Sequence, residues 1–456
     1  MARPTPLSGF PEYLPAQRIV EQQVLAHLAR TFELHGFANI ETRAVEPLDT
    51  LLSKGETSKE VYVLRRLQES SADGHAGMGL HFDLTVPLAR YVLENAGHLE
   101  FPFRRYQIQK VWRGERPQEG RYREFVQADI DVIGRDTLGF HHDVDVARVM
   151  VDALGGLDFL PGFTLQVNNR KLIQGFYAGL GAADPAAVMR VVDKLDKVPA
   201  EVVGRLLIEE AGLTPEQADQ CLALAGIYTP DDSFVDHVRA LGVEHPLLDE
   251  GLTELAAVVN GCVGLVNDRV QVMADLKIAR GLDYYTGTVF ETRLRGYEGL
   301  GSICSGGRYD ELAADTRSTY PGVGISFGVT RVLAPLFARS GLRADRTVPS
   351  VVFVALPDET ERERCAALAD RLRARGLPVE VSADPAKYGK QIRLAERRGI
   401  PYVVFPGEPD QIKNIRTGEQ IDLDAESWWP AADQLTPQIR SDVSLSSFVS
   451  AAVMGD

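Results

Sequence analysis

From residue 101 to 133 the chain alternates between apolar and polar positions with a period near two. Tyr106, Ile108, Val111 and Trp112 lead into a charged stretch at 114–123, and Phe125, Val126, Ile130, Val132 and Ile133 follow. Two such runs around a charged loop predict an antiparallel hairpin. Upstream, Ile19, Leu25, Leu28, Ala29 and Phe32 recur at helical spacing over 16–35, with Gly36 placed to end the helix. Residues 69–79 are turn-rich and read as a loop or hairpin tip. Downstream, 141–155 reads as a helix and 163–168 as a strand. The region 172–262 is mostly helical with Pro and Gly punctuation, as an inserted module would be. Strands resume over 270–295 and near 301–305. Gly322, Gly324 and Gly328 then introduce a helical stretch at 328–339.

The pattern changes after about residue 340. The continuous apolar run Val351–Leu356, a helix over 359–376, a strand at 377–382, a helix at 386–398 and a strand at 400–405 alternate in order. That alternation predicts a small α/β domain with neighbouring parallel strands. Residues 341–350 read as a linker. The last thirty or so residues, with Trp428 and Trp429, are weakly specified. No repeat with a period of 20–50 residues is visible.

Composition narrows the class. At 456 residues two or three domains are expected. The four cysteines, at 221, 262, 304 and 365, are far apart and form no C-x-x-C pair. That argues against a zinc ribbon or disulfide framework and fits a reducing, cytoplasmic setting. The start of the sequence has no apolar signal-peptide core, and no run is apolar enough for a membrane span. The net charge of −15 disfavours nucleic acid on average, but binding uses local fields. Residues 104–123 carry seven basic and two acidic side chains, and 361–416 carry twelve basic and eight acidic ones. Two basic islands on an acidic chain suit a polyanionic ligand.

The chemistry-bearing segments lie where that charge is concentrated. No G-x-x-x-x-G-K-[ST] loop, dinucleotide glycine pattern or H-E-x-x-H occurs. His141-His142-Asp143 carries no metal expectation, because adjacent histidines on a helix should point apart. Phosphates would then have to be held by side chains, and arginine suits them. Arg113 ends a strand and enters the loop, Arg121 and Arg123 return from it, and Phe125 alternates to a face where a base could stack. Alone, this segment reads equally well as a salt-bridged surface hairpin. In the run Ala279–Gly287, Arg280 precedes a glycine and two tyrosines. Read as a strand, it sends Tyr284 and Tyr285 to opposite faces, and core tyrosines would explain it equally. Ser305–Leu312 holds a glycine pair that permits close backbone approach. Arg331 sits in an early helical turn.

Taken in order, these segments resemble the histidyl-tRNA synthetases, a family of class II aminoacyl-tRNA synthetases, over nearly the whole chain. VWRGERPQEGRYREF looks like the class's motif 2. ARGLDYYTGTVFE and SICSGGRYDEL look like the two histidine-specific segments, GVGISFGVTRV like motif 3, and HFDLTVPLARY like the histidine-gripping segment. One departure is Thr42-Arg43, where motif 1, which supports the dimer interface, usually reads Thr-Pro. The resemblance implies an α+β catalytic domain over 1–340 with a mixed, mainly antiparallel sheet and a helical insertion at about 172–262. It also implies an α/β anticodon-binding domain at 350–425 and a tail at 426–456.

It implies a two-step reaction too. Histidine and ATP form histidyl-adenylate and pyrophosphate, and histidine then passes to the terminal adenosine of tRNA(His). Arg113 and Arg280 would serve the α-phosphate and the histidine carboxylate, and are the expected catalytic pair. Arg121 and Arg331 would hold the outer phosphates, with Mg²⁺ bridging phosphate oxygens rather than bound by a side-chain cluster. Phe125 would stack on adenine beside Glu115. Asp83 and Thr85 would take the ammonium, and Gln127 the backbone end of the substrate. Asp131 shares Gln127's strand face and would accept from the imidazole, with Tyr285 and Tyr284 addressing the rest of the ring. Gln118 would approach the tRNA acceptor end. A homodimer is implied, and no membrane. The rival expectation is a non-catalytic paralogue acting as a regulatory subunit of ATP phosphoribosyltransferase. The presence of residues 350–425, with Arg113, Arg280 and the tyrosines, argues against it.

Overall fold

The computed structural model describes residues 4–52, 60–66, 77–279, 285–311, 313–314 and 316–443. Among the described residues the chain forms two compact units, one of residues 4–11 and 25–335, the other of residues 12–24 and 336–443.

The first unit is built on a nine-stranded sheet. Its order is Ala38–Asn39, Phe103–Trp112, Glu124–Ile133, Gly322–Gly328, Cys304–Tyr309, Thr288–Leu294, Phe163–Asn169, Val270–Asp275 and Tyr228–Thr229. Two neighbouring pairs are parallel and the rest antiparallel. Strand parity separates the faces. Val126, Ala128, Ile130 and Val132, with Val323, Ile325 and Phe327, are buried on the apolar face. The helices His141–Gly155 and Pro246–Cys262 pack on this sheet. The other face is polar: Gln127, Asp129 and Asp131 stand opposite Gly328, Ser326 and Gly324. A mixed, mainly antiparallel sheet is thus what the hairpin pattern and the resemblance led us to expect.

Between Arg170 and Cys262 six α-helices follow one another. Several begin with proline in the first turn, and Thr214 with Gln217 forms a reciprocal capping box. The stretch also returns the short strand Tyr228–Thr229 to the sheet edge.

The stretch 270–295 is not one strand. It divides into Val270–Asp275 and Thr288–Leu294, and residues 276–279 and 285–287 between them are not in strand. The alternation argument for Tyr285 therefore does not apply, because no ladder runs through it. His141 and His142 do not diverge either: their rings lie 4.0 Å apart. The turn-rich stretch 69–79 falls mostly outside the described residues.

The second unit carries a five-stranded sheet in the order Val379–Val381, Val352–Val354, Tyr402–Phe405, Gln411–Asn414, Gln420–Asp422. The first three are parallel and the last two antiparallel. Val352 and Val354 pack with the helix Arg362–Ala374, while Phe353 and Val403 pack with Tyr388–Arg398. Burial on both faces explains the uninterrupted apolar run. Residues 341–350 are not a bare linker. Arg343–Ala344 pairs with Ile439–Arg440, and the Arg346 side chain is fully buried. Nor do residues after 425 stand apart, since the Trp428 ring lies 4.9 Å from Tyr402.

Candidate active site

The polar sheet face opens into a cavity of about 270 Å³. Its floor comes from three adjacent strands. Gln127, Asp129 and Asp131 arise from Glu124–Ile133, Ser326 from Gly322–Gly328, and Ser305 from Cys304–Tyr309. Its walls include Asp83 and Thr85, the loop residues Arg113, Glu115 and Arg121, and Phe125, Tyr285 and Arg331. Every one of these expected site residues that falls among the described residues is brought to this cavity, Gln118 excepted. Gln118 is exposed at the hairpin tip, where its backbone pairs with Arg121 at 2.9 and 3.1 Å. Arg280 and Tyr284 lie outside the described residues.

Arg113 leaves the strand Phe103–Trp112 with its backbone N–H bonded to the Arg123 carbonyl at 2.9 Å. Its Nε donates to the Phe82 carbonyl at 2.9 Å, which ties the motif 2 loop to the Asp83 segment. Its guanidinium lies 5.2 Å from the Phe125 ring centre, so one face of that ring is already covered. His81 stacks on Trp112 and bonds through Nε2 to the Lys110 carbonyl at 2.7 Å. Burial pushes its imidazole below the ordinary value. Asp83 accepts from the Val86 backbone at 3.0 Å in the first turn of the helix Thr85–Asn95. Arg331 donates to the Leu300 carbonyl from Nε at 3.0 Å. Arg121 is half exposed, 3.9 Å from Glu115. Arg123 turns away from the cavity to the Glu115 carbonyl.

The floor is tightly organised. Gln127 donates from Nε2 to Ser326 Oγ at 2.6 Å, leaving its Oε1 without a hydrogen-bond partner among the described residues. Asp131 lies 2.5 Å from Arg105 through Oδ2 and accepts from the Tyr309 hydroxyl at 2.6 Å through Oδ1. Glycines make room: a Cβ at Gly324 would fall 2.0 Å from Asp131 Oδ1, and one at Gly307 would fall 2.8 Å from the Tyr285 ring. Burial pushes the Asp129 carboxyl up to about 7, with Arg105 opposing that rise and Asp131 adding to it. Burial likewise raises Glu60, which Arg113 opposes and Glu115 reinforces.

Asp129, Tyr122, Tyr309 and Arg105 were not anticipated. The parity that joins Gln127 to Asp131 necessarily places Asp129 between them, and that signal was available. The basic run 104–123 also divides: Arg105 is buried beside the floor on the same sheet face, while Arg104 packs over Phe37 and pairs with Asp145. At the departure in motif 1, Thr42 is buried and accepts from Gln107 at 2.9 Å, while Arg43 reaches Glu46 at 3.1 Å.

Comparison with known proteins agrees with this arrangement. Residues 9–332 match the histidyl-tRNA synthetase family and residues 350–432 an anticodon binding domain. The chain is 55% identical to the histidine--tRNA ligase of Cutibacterium acnes, over 96% of this chain and 99% of that one. It is 56% identical to the Micrococcus luteus ligase over the same shares. A crystal structure of histidyl-tRNA synthetase from Nostoc sp. PCC 7120 superposes with a TM-score of 0.82 at 34% identity, covering 93% of this chain and 98% of that chain. With a class II sheet, a cavity gathering the motif residues and full-length relatives of this kind, the chain belongs to the histidyl-tRNA synthetase family.

Proposed function

We infer that this chain is a histidine--tRNA ligase. It activates L-histidine with ATP to histidyl-adenylate and pyrophosphate, then transfers histidine to tRNA. The observation that carries the reading is one cavity that joins an amino-acid set (Asp83, Thr85, Gln127, Asp131, Tyr285) to a phosphate set (Arg113, Glu115, Arg121, Phe125, Arg331). The regulatory-subunit alternative is not favoured, since the full-length relatives are named ligases.

In the proposed first step a histidine carboxylate oxygen attacks the α-phosphorus and pyrophosphate departs. Such a transfer depends on positioning and charge neutralisation more than on covalent help. Asp83 accepts from the ammonium with Thr85, and the unpartnered Gln127 Oε1 adds a second acceptor. Asp131 takes a ring N–H, with Tyr285 and Tyr284 beside the ring. Arg113 and Arg280 neutralise the α-phosphate and align the carboxylate. Arg121 and Arg331 hold the outer phosphates, and adenine lies on the face of Phe125 that Arg113 leaves open. In the second step a hydroxyl of the terminal adenosine attacks the acyl carbon and AMP leaves. In this reading Gln118, which is exposed at the hairpin tip, meets the acceptor end.

Mg²⁺ belongs with the phosphates in this reading. Among the described residues no cluster of three His, Cys, Asp or Glu side chains could hold a metal alone. Glu115 beside Arg121 suits an ion held mainly by phosphate oxygens. Such an ion would supply charge neutralisation. A homodimer and a cytoplasmic setting are part of the proposal, carried by the resemblance and by where ATP and tRNA meet. Pyrophosphate exchange measured with each amino acid tests the reading. Exchange with histidine alone is expected. No exchange would end the enzyme claim, and exchange with another amino acid would end the specificity claim.

A further inference from the structure

Arg105 is 0% exposed and lies directly across the hairpin from Asp131. Its Nη2 approaches Asp131 Oδ2 to 2.5 Å, close but not aligned as a hydrogen bond. Its Nη1 reaches only Gln107 Oε1, at 3.4 Å, and its Nε finds no acceptor among the described residues. A guanidinium buried with so little hydrogen bonding is a poor stabilising device. Apolar packing would serve the fold as well or better. What it supplies is a positive charge beside one carboxylate.

Asp129 offers an internal contrast. It sits two residues away on the same strand face at similar depth, opposite Gln107 rather than Arg105. Burial first, with the Asp131 and Asp83 charges adding to it, pushes it up to about 7 despite Arg105 nearby. A carboxylate at this depth tends to take up a proton unless a cation is against it. An ionised carboxylate is acceptor-only, whereas a protonated one also donates.

We propose that Arg105 is a positioning residue for side-chain selection: its buried charge keeps Asp131 ionised and acceptor-only, so the pocket demands a ring that carries an N–H. Tyr309 fixes the other carboxylate oxygen and Gly324 leaves the space in which it stands. A ring of the same size without an N–H leaves that carboxylate facing only lone pairs, which such a site rejects strongly. The proposal rests on the histidine-site reading given above.

The test compares histidine with 3-(2-thiazolyl)alanine, whose ring has imidazole's size and no N–H, in pyrophosphate exchange on the full chain. For Arg105→Met the ratio of kcat/KM between the two substrates is expected to fall by at least about tenfold, mainly through the KM for histidine, with the KM for ATP within about twofold of the parent. Arg105→Lys should restore most of the ratio. An unchanged ratio in folded Arg105→Met overturns the proposal. Should that variant not fold, Asp131→Asn is compared with Asp131→Asn/Arg105→Met, which leaves no charge buried alone. The added change should then alter the ratio by less than about twofold, and a further tenfold loss overturns the proposal. If the parent shows no exchange with histidine, the functional reading fails instead.

Discussion

The Asp131 carboxylate stands where a side chain at Gly324 would be: a Cβ there would lie 2.0 Å from Oδ1. The two residues face each other across neighbouring strands, and the Ile130 carbonyl, 2.7 Å from the same point, leaves the Asp131 side chain as the group that must move. Gly324→Ala should therefore push Asp131 off its Arg105 and Tyr309 partners. We expect the KM for histidine to rise about tenfold or more while the KM for ATP stays near the parent's, with about 1–3 kcal/mol lost in stability from overpacking. Kinetics and a denaturant melt check it. An unaltered histidine KM would mean that Asp131 is not a substrate contact.

Asp129 makes the stability pH-dependent. Its folded-state value, about 7, is above the ordinary 3.8. Between those values the folded chain keeps a proton that the unfolded chain has released, so this contribution is full in acid and is lost as pH rises through 7. Asp129→Asn should remove that slope. Its melting temperature relative to the parent's is expected to be higher at pH 8 than at pH 5. A difference that does not vary with pH would refute the assignment.

Arg280→Ala should depress adenylate formation far more than histidine binding, because charge neutralisation at the α-phosphate is needed in the transition state and less in the ground state. Single-turnover adenylate formation alongside equilibrium histidine binding separates the two. Equal losses in both would show an arginine that only holds the pocket together.

Gln118→Ala should leave pyrophosphate exchange intact and slow aminoacyl transfer, since the side chain is exposed at the hairpin tip and does not line the cavity. A matching loss in exchange would place Gln118 with ATP instead.

Much of this site was legible in advance because it lies on a hairpin. The resemblance singled out Gln127 and Asp131, and the parity of two long strands put them on one face. Arg105 was not legible. A buried arginine looks like any other member of a basic run until its cross-strand partner is known, and register is a tertiary fact. Tyr285 lines the cavity as expected, but not from a strand, because no ladder includes residues 285–287. In the second unit, Gln411–Asn414 is short with only Ile412 buried, and Gln420–Asp422 is short and exposed throughout, so neither has the apolar period that reveals a strand.

Arg346 bears on how this protein can be divided. Its fully buried guanidinium donates to the carbonyls of Ser350, Gln434 and Thr436, and burial lowers its pKa. A fragment ending at residue 425 would contain the whole five-stranded sheet and yet strip two of the three acceptors from a cation inside it. The last strand of that sheet closes at Asp422, but a piece that includes Arg346 keeps all three of its acceptors only if it extends to Thr436. An excised domain that begins before Arg346 and is trimmed to its visible sheet would leave that cation short of acceptors inside the reagent.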